Sequence, residues 1–173
     1  MQPTHTSSRI LLPVKPWFIL VSLLLSLTLN LAPLGKLPGV PDWVALSIVF
    51  WCVREPHRVG MATAFLLGLV MDVSNASLMG QHALAYVLAA YGASTLSRRI
   101  LWFPFLQQSM HLFPLFLGMH VVILLIRLMA GANFPGWTYF LSTLSEVLLW
   151  PPITYLLLLP QYQPVDKDKN RPI

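Results

Sequence analysis

Apolar residues run in long stretches along this chain, separated by short polar or proline-bearing breaks. Six stretches stand out, at about 16–31, 42–53, 59–73, 81–96, 108–129 and 137–159. Their length and unbroken apolar character predict helices that meet an apolar solvent on most sides. A straight helix needs about 20 residues to cross a bilayer, so the second and third stretches are short. They form either two short helices in a hairpin or one broken helix from 42 to 73.

Positive charge separates these two readings. With six spans and an inner N-terminus, one side of the membrane holds Arg9, Lys15, Arg54, Arg58, Arg98, Arg99, Lys167, Lys169 and Arg171. The other holds only Lys36 and Arg127, a bias of nine cations against two that obeys the positive-inside rule. Merging the second and third stretches would bury Arg54-Glu55-Pro56-His57-Arg58, at about 2.5–3.5 kcal/mol per central charge. The pattern therefore predicts an all-α membrane protein with six transmembrane helices and both termini cytoplasmic. A membrane domain at 16–160 lies between short tails at 1–15 and 161–173.

Composition agrees. Hydrophobic residues make up 56% of the 173 and charged residues 10%, well below the roughly 25% charged of a soluble domain. The formal charge of +5 raises the question of nucleic acid. The cations, however, are scattered in ones to threes between apolar runs and form no basic face, which excludes that class. One cysteine, Cys52, leaves no internal disulfide and reads as a buried, inert thiol. Arg9 and Lys15 before the first stretch resemble a signal peptide. Leu29-Asn30-Leu31-Ala32-Pro33 lacks a small-x-small cleavage pattern, so that stretch reads as an uncleaved span.

Other punctuation fits. Trp17, Trp43, Trp102 and Trp137 fall near predicted helix ends, where amphipathic rings favour the headgroup region. Pro114 and the Pro151-Pro152 pair fall within spans and are expected to kink them.

Small residues form two stripes. Gly60, Ala64, Gly68 and Asp72 are spaced by four, as are Ala85, Ala89, Ala93 and Ser97. Small side chains on one helix face let backbones approach closely in lipid, so the stripes predict a packed hairpin. A channel or groove lined by the same faces is the competing reading. Asp72, at the outer end of its stripe, is either a solvated carboxylate that helps end its helix or one held against another span or a partner. Its natural counter-ion would be Arg127.

Glu146 lies nine residues into the last stretch, about 14 Å along a helix at 1.5 Å per residue. Such a buried acid either bridges helices in its neutral form or binds a proton or ligand. His111 and His120 are nine apart, on opposite helix faces, and no His/Cys/Asp cluster has metal-ligand spacing. No nucleophile, base or phosphate-binding motif can be assembled, so neither an enzyme nor a cofactor is expected. Asn75-Ala76-Ser77 matches a glycosylation sequon but sits tight against the membrane.

Read in order, several landmarks resemble the MreD family of rod shape-determining proteins. They are Pro41-Asp42-Trp43, Pro56-His57-Arg58-Val59-Gly60, Gly68-Leu69 with Asp72, and Leu78-Met79-Gly80-Gln81-His82-Ala83-Leu84-Ala85-Tyr86. Phe103-Pro104 with Gln107-Gln108 and Leu149-Trp150-Pro151 complete the series. Met79 and Ser77 depart from the family pattern without changing the spacing from Asp72 to Gly80.

The resemblance implies a non-enzymatic component of the bacterial cell-elongation machinery in the cytoplasmic membrane. It implies association with MreC, the filament protein MreB, RodA and a penicillin-binding transpeptidase, in support of side-wall peptidoglycan synthesis. A second copy of the chain is a further candidate partner. It also implies a bundle similar to the substrate-binding components of energy-coupling-factor vitamin transporters. On this reading Asp72, Gly80, Gln81 and His82 form or shape an outer contact region, and Gly60, Ala64, Gly68, Ala85, Ala89 and Ala93 pack helices. Glu146 and Arg127 are the buried polar candidates. The runner-up function is a substrate-binding membrane component of a small-molecule transporter.

Overall fold

The computed structural model describes residues 14–32 and 39–161. Most of the two tails, and with them Arg9, Lys167, Lys169 and Arg171, lie outside the described residues, as does the segment 33–38 with Pro33 and Lys36.

Six α-helices and no strand occur among the described residues. They are α1 (Pro16–Leu31), α2 (Trp43–Arg54), α3 (Met61–Ser74), α4 (Gln81–Ile100), α5 (Phe105–Met129) and α6 (Leu141–Leu158). Single 3-10 turns flank α6 at Trp137–Phe140 and Leu159–Gln161. The stretch from 42 to 73 is thus two helices, divided at Glu55–Gly60 where Val59 N–H closes onto Glu55 O. α5 and the run Trp137–Gln161 are long and apolar enough to cross a membrane. α5 continues through Pro114 and α6 through Pro151 and Pro152.

α2 is central. All ten residues from Val44 to Val53 are buried, so its uniform hydrophobicity reflects enclosure by the other helices. α1, α4 and α6 each pack on it, and α3 packs most extensively on α4. Around α2 the core is aromatic. Trp51 meets Phe18 and Phe50 edge-on, and its indole N–H donates to Ser22 Oγ at 2.8 Å. Trp150 sits between Phe50 and Phe116 and donates to Gln108 Oε1 at 3.3 Å. Outward, the bundle shows Leu20, Leu24, Phe65, Leu66, Leu88, Leu125 and Leu148. An outer surface of large apolar side chains around a packed core is the pattern of a helical membrane protein.

The two ends of the bundle differ in charge. Arg58 Nη1 donates to Val14 O at 2.8 Å, which ties the start of α1 to the α2–α3 turn. Lys15, Arg54, Arg58, Arg98 and Arg99 share that end, whereas Arg127 is the one described cation at the other. Trp17, Trp102 and Trp137 are exposed at helix ends. Trp43 differs, because its helix begins inside the bundle.

Ala64, Gly68, Ala85, Ala89 and Ala93 are buried. The closest approach is at Gly68, where an added Cβ would lie 2.3 Å from Ala83 Cα and 2.6 Å from Ala83 N. Gly60 belongs to a different environment. It is the N-cap of α3, outside the helix, and a Cβ there would meet only Pro56 O at 3.8 Å. Gly68→Ala should therefore destabilise the bundle by about 1–3 kcal/mol through overpacking against backbone. Gly118→Ala, where a Cβ meets nothing within 4 Å, should be neutral or stabilising by up to about 1 kcal/mol. Thermal unfolding of both variants in detergent tests this, and equal stability would count against the close α3–α4 contact.

Candidate functional site

The end of the bundle away from the five cations is built on two helix N-termini whose first turns are held by side chains of other helices, α4 wholly so and α2 in addition to its own N-cap. A helix start leaves up to four N–H groups unpaired, and in an apolar setting each needs a partner. The N-cap of α4 is Gly80, in the left-handed region at φ +96°, with no side chain to offer. Asp72, fully buried in the last turn of α3, supplies the missing acceptor. Its Oδ2 accepts from Gly80 N at 2.8 Å and Ala83 N at 3.4 Å. Its Oδ1 accepts from His82 N at 2.9 Å, Ser77 Oγ at 2.9 Å and His82 Nδ1 at 2.7 Å. A carboxylate at this position also meets the positive end of the helix dipole.

The expected partnership of Asp72 with Arg127 is not present. Asp72 is saturated by α4 and the α3–α4 turn, and no ion pair joins it to Arg127 among the described residues. The physical reason is proximity: the close contact at Gly68 carries the end of α3 directly against the start of α4.

The second helix start is that of α2. Asp42 is its N-cap, and Oδ1 accepts from Ala45 N at 3.0 Å and Asn30 Nδ2 at 2.7 Å. Asn30 in turn accepts from Trp43 N at 3.0 Å, and the Tyr86 hydroxyl donates to Asp42 Oδ2. The Asp42 backbone N–H donates to Glu146 Oε1 at 3.2 Å. Glu146, wholly buried on α6, thus closes the same cap from the opposite side. His120 Nε2 stands 3.6 Å from that oxygen, while its Nδ1 donates to Phe116 O at 3.0 Å. Glu146 Oε2 has no hydrogen-bond partner among the described residues. Asn30, Asp42, Tyr86, His120 and Glu146 bring five helices to one polar cluster.

One cavity adjoins this cluster and a second adjoins the first. The first, of about 400 Å³, is lined by Asn30, Asp42, His82, His120, Tyr139 and Ser142 among others. Its neighbour, of about 630 Å³, is lined by Ser77, Gln81, His82, Arg127 and Tyr139 among others. His82 and Tyr139 belong to both. Gln81, His82 and Arg127 therefore meet around one space, Gly80 and Asp72 stand behind it as framework, and Glu146 lies beside the first cavity.

His111 is elsewhere, exposed and stacked on Phe103 at 4.4 Å. Among the described residues no three His, Cys, Asp or Glu side chains stand where they could hold a metal ion. Cys52 is buried, its Sγ 3.3 Å from Val59 O.

Asn30, Asp42, Tyr86 and Tyr139 were not among the site residues expected from the sequence, although Asp42 and Tyr86 fall within the landmarks that carry the resemblance. Asp42 did carry a signal, since an Asp directly before an apolar run is an N-cap signature. Tyr86 is four residues after His82 and shares its helix face. Asn30, a lone amide in an apolar run, had no local partner to mark it.

The chain is thus an all-helical bundle of the kind found in membrane proteins, with two helices long and apolar enough to cross a bilayer, a polar interior at one end and a basic opposite end. The family described as "rod shape-determining protein MreD" matches residues 8–159. The chain belongs to the MreD family. It is similar to the rod shape-determining protein MreD of Haemophilus influenzae, with 29% identity over 151 residues that cover 83% of this chain and 91% of the relative. No solved structure matches.

Replacing Glu146 separates cap from charge. Glu146→Gln keeps an acceptor for Asp42 N–H and should unfold close to the native protein. Glu146→Leu leaves that N–H unpaired and should cost about 1–3 kcal/mol. Equal stability of the two variants in detergent unfolding would remove Glu146 from the cap of α2.

Proposed function

We propose that this protein is a non-enzymatic, multi-pass component of the cell-elongation complex in the bacterial cytoplasmic membrane. It binds MreC and supports side-wall peptidoglycan synthesis together with MreB, RodA and a penicillin-binding transpeptidase. The observation that carries this reading is the family match from residue 8 to residue 159, which spans all six helices. The membrane domain at 16–160 holds the cations of Arg54, Arg58, Arg98 and Arg99 at the cytoplasmic face, with Lys15 just before it, in keeping with the positive-inside rule. Both tails are cytoplasmic, and the bundle is similar to the substrate-binding components of energy-coupling-factor transporters.

On this reading the outer end is the working surface. Asp72 and Gly80 act on it indirectly, by fixing the first turn of α4, while Gln81 and His82 line the adjoining cavity. The runner-up, a substrate-binding component of a small-molecule transporter, draws on the polar cavities beside Asp42 and His120.

Controlled depletion in a rod-shaped host, scored by cell width, tests the proposal. Depleted cells should round and lyse, and wild type should restore rods. Asp72→Ala should fail to rescue, with reduced amounts of folded protein, because five hydrogen bonds to α4 and its preceding turn depend on that carboxylate. MreC should co-purify with the wild-type protein. Normal rods after complete depletion would sink the elongation reading and favour the transporter.

A further inference from the structure

The cavity that holds Arg127 differs in chemistry from its neighbour. Its walls include Ser77, Gln81, His82, Arg127 and Tyr139, and no carboxylate is among its lining residues. Asp72 is shut behind His82, fully buried and saturated by its own hydrogen bonds. Asp42 belongs to the neighbouring cavity, and Glu146 is enclosed beside it.

Several polar groups here lack a partner among the described residues. Arg127 is half-buried in the last turn of α5 and forms no ion pair or side-chain hydrogen bond among the described residues. Gln81 is 3% exposed, yet its side-chain amide has no hydrogen bond among the described residues. His82 is anchored through Nδ1 by Asp72, which leaves Nε2 as the free ring atom. These groups open onto the cavity instead of being sealed in the core, and polar groups that converge on one accessible space suit a polar guest.

We propose that this cavity binds the oxyanion group, phosphate or carboxylate, of a small polar molecule, with Arg127 as its charged anchor. The planar guanidinium presents paired N–H donors that match two oxygens of either group. Gln81 adds a neutral amide donor from α4, and Tyr139, whose hydroxyl donates to His120 O at 3.4 Å, walls the cavity from the turn before α6. The adjoining cavity offers the opposite polarity, since Asp42 is its one charged lining residue. A hydroxyl- or amine-bearing remainder of the guest fits there. At about 630 and 400 Å³, both spaces lie within the range of small-molecule sites. The site shares Gln81 and His82 with the contact region proposed above but does not require MreC.

The test uses the full chain purified in a neutral detergent, without partners. Thermal unfolding is followed with sodium phosphate and sodium succinate, against sodium chloride at matched ionic strength. A second arm adds phosphatidylglycerol to the micelles at the same phosphate concentration. The expected result is a saturable rise of several degrees with an oxyanion and none with chloride. A rise in the lipid arm alone assigns the oxyanion to a lipid headgroup, and a rise in the soluble arm assigns it to a free molecule. Arg127→Gln should abolish the response while unfolding normally in chloride. Ala132→Asp, which sets a carboxylate at an exposed position of the cavity wall, should abolish it independently. No rise beyond chloride in either arm, or an undiminished rise in both variants, overturns the proposal.

Discussion

The shortness of α2 is the constraint on which the rest of the structure depends. Its 12 residues extend only about 18 Å at 1.5 Å per residue, against a hydrocarbon core of about 30 Å. Because the helix is enclosed on all sides, its first turn opens inside the bundle, where no lipid can satisfy a backbone N–H. Asp42, Asn30 and Glu146 meet that demand from three helices or their caps, and Tyr86 completes the coordination of Asp42 from a fourth. The buried acids are therefore part of the architecture before they are part of any function. The first cavity lies beside this helix start and is lined by its cap.

The α3–α4 hairpin solves the same problem at a second helix start, and two features of it are mutually dependent. Gly68 permits backbone contact at Ala83, which brings the last turn of α3 level with the first turn of α4. Asp72 then sits where the N–H groups of Gly80 and His82 point. Lipid gives helices little hydrophobic reason to associate, so close packing and hydrogen bonding must act together. Gly80 completes the turn because its φ of +96° suits a residue without a side chain.

These devices give the bundle a basic end and a polar end on either side of an aromatic core. Trp51, Trp150, Phe50 and Phe116 fill that core. The polar end carries the two cavities and Arg127. A scaffold can use the first as its membrane anchor and the second as the surface whose shape a partner or small guest reads. Rigid helix starts frame that surface, so its geometry is fixed by the hydrogen bonds that hold the fold.

The sequence by itself determined the helix count, the division of the stretch from 42 to 73, and the separation of charge along the chain. It did so because span length, hydrophobicity and cation placement are local properties, each set by contact with lipid or water. The α1 span was legible to the residue, while α4 and α5 ran beyond their apolar cores because capping at Leu101 and Pro104, not hydrophobicity, sets those ends. The tertiary structure decided which polar groups meet. Four-residue spacing put Gly60 and Gly68 in one stripe, but only Gly68 faces a backbone. Asp72 and Arg127 shared an end of the bundle, yet Asp72 found His82 and the backbone of α4 instead. The union of Asn30, Asp42 and Glu146 spans more than 100 positions between Asp42 and Glu146. No period along one chain encodes such a meeting, because it depends on the depth at which each helix begins.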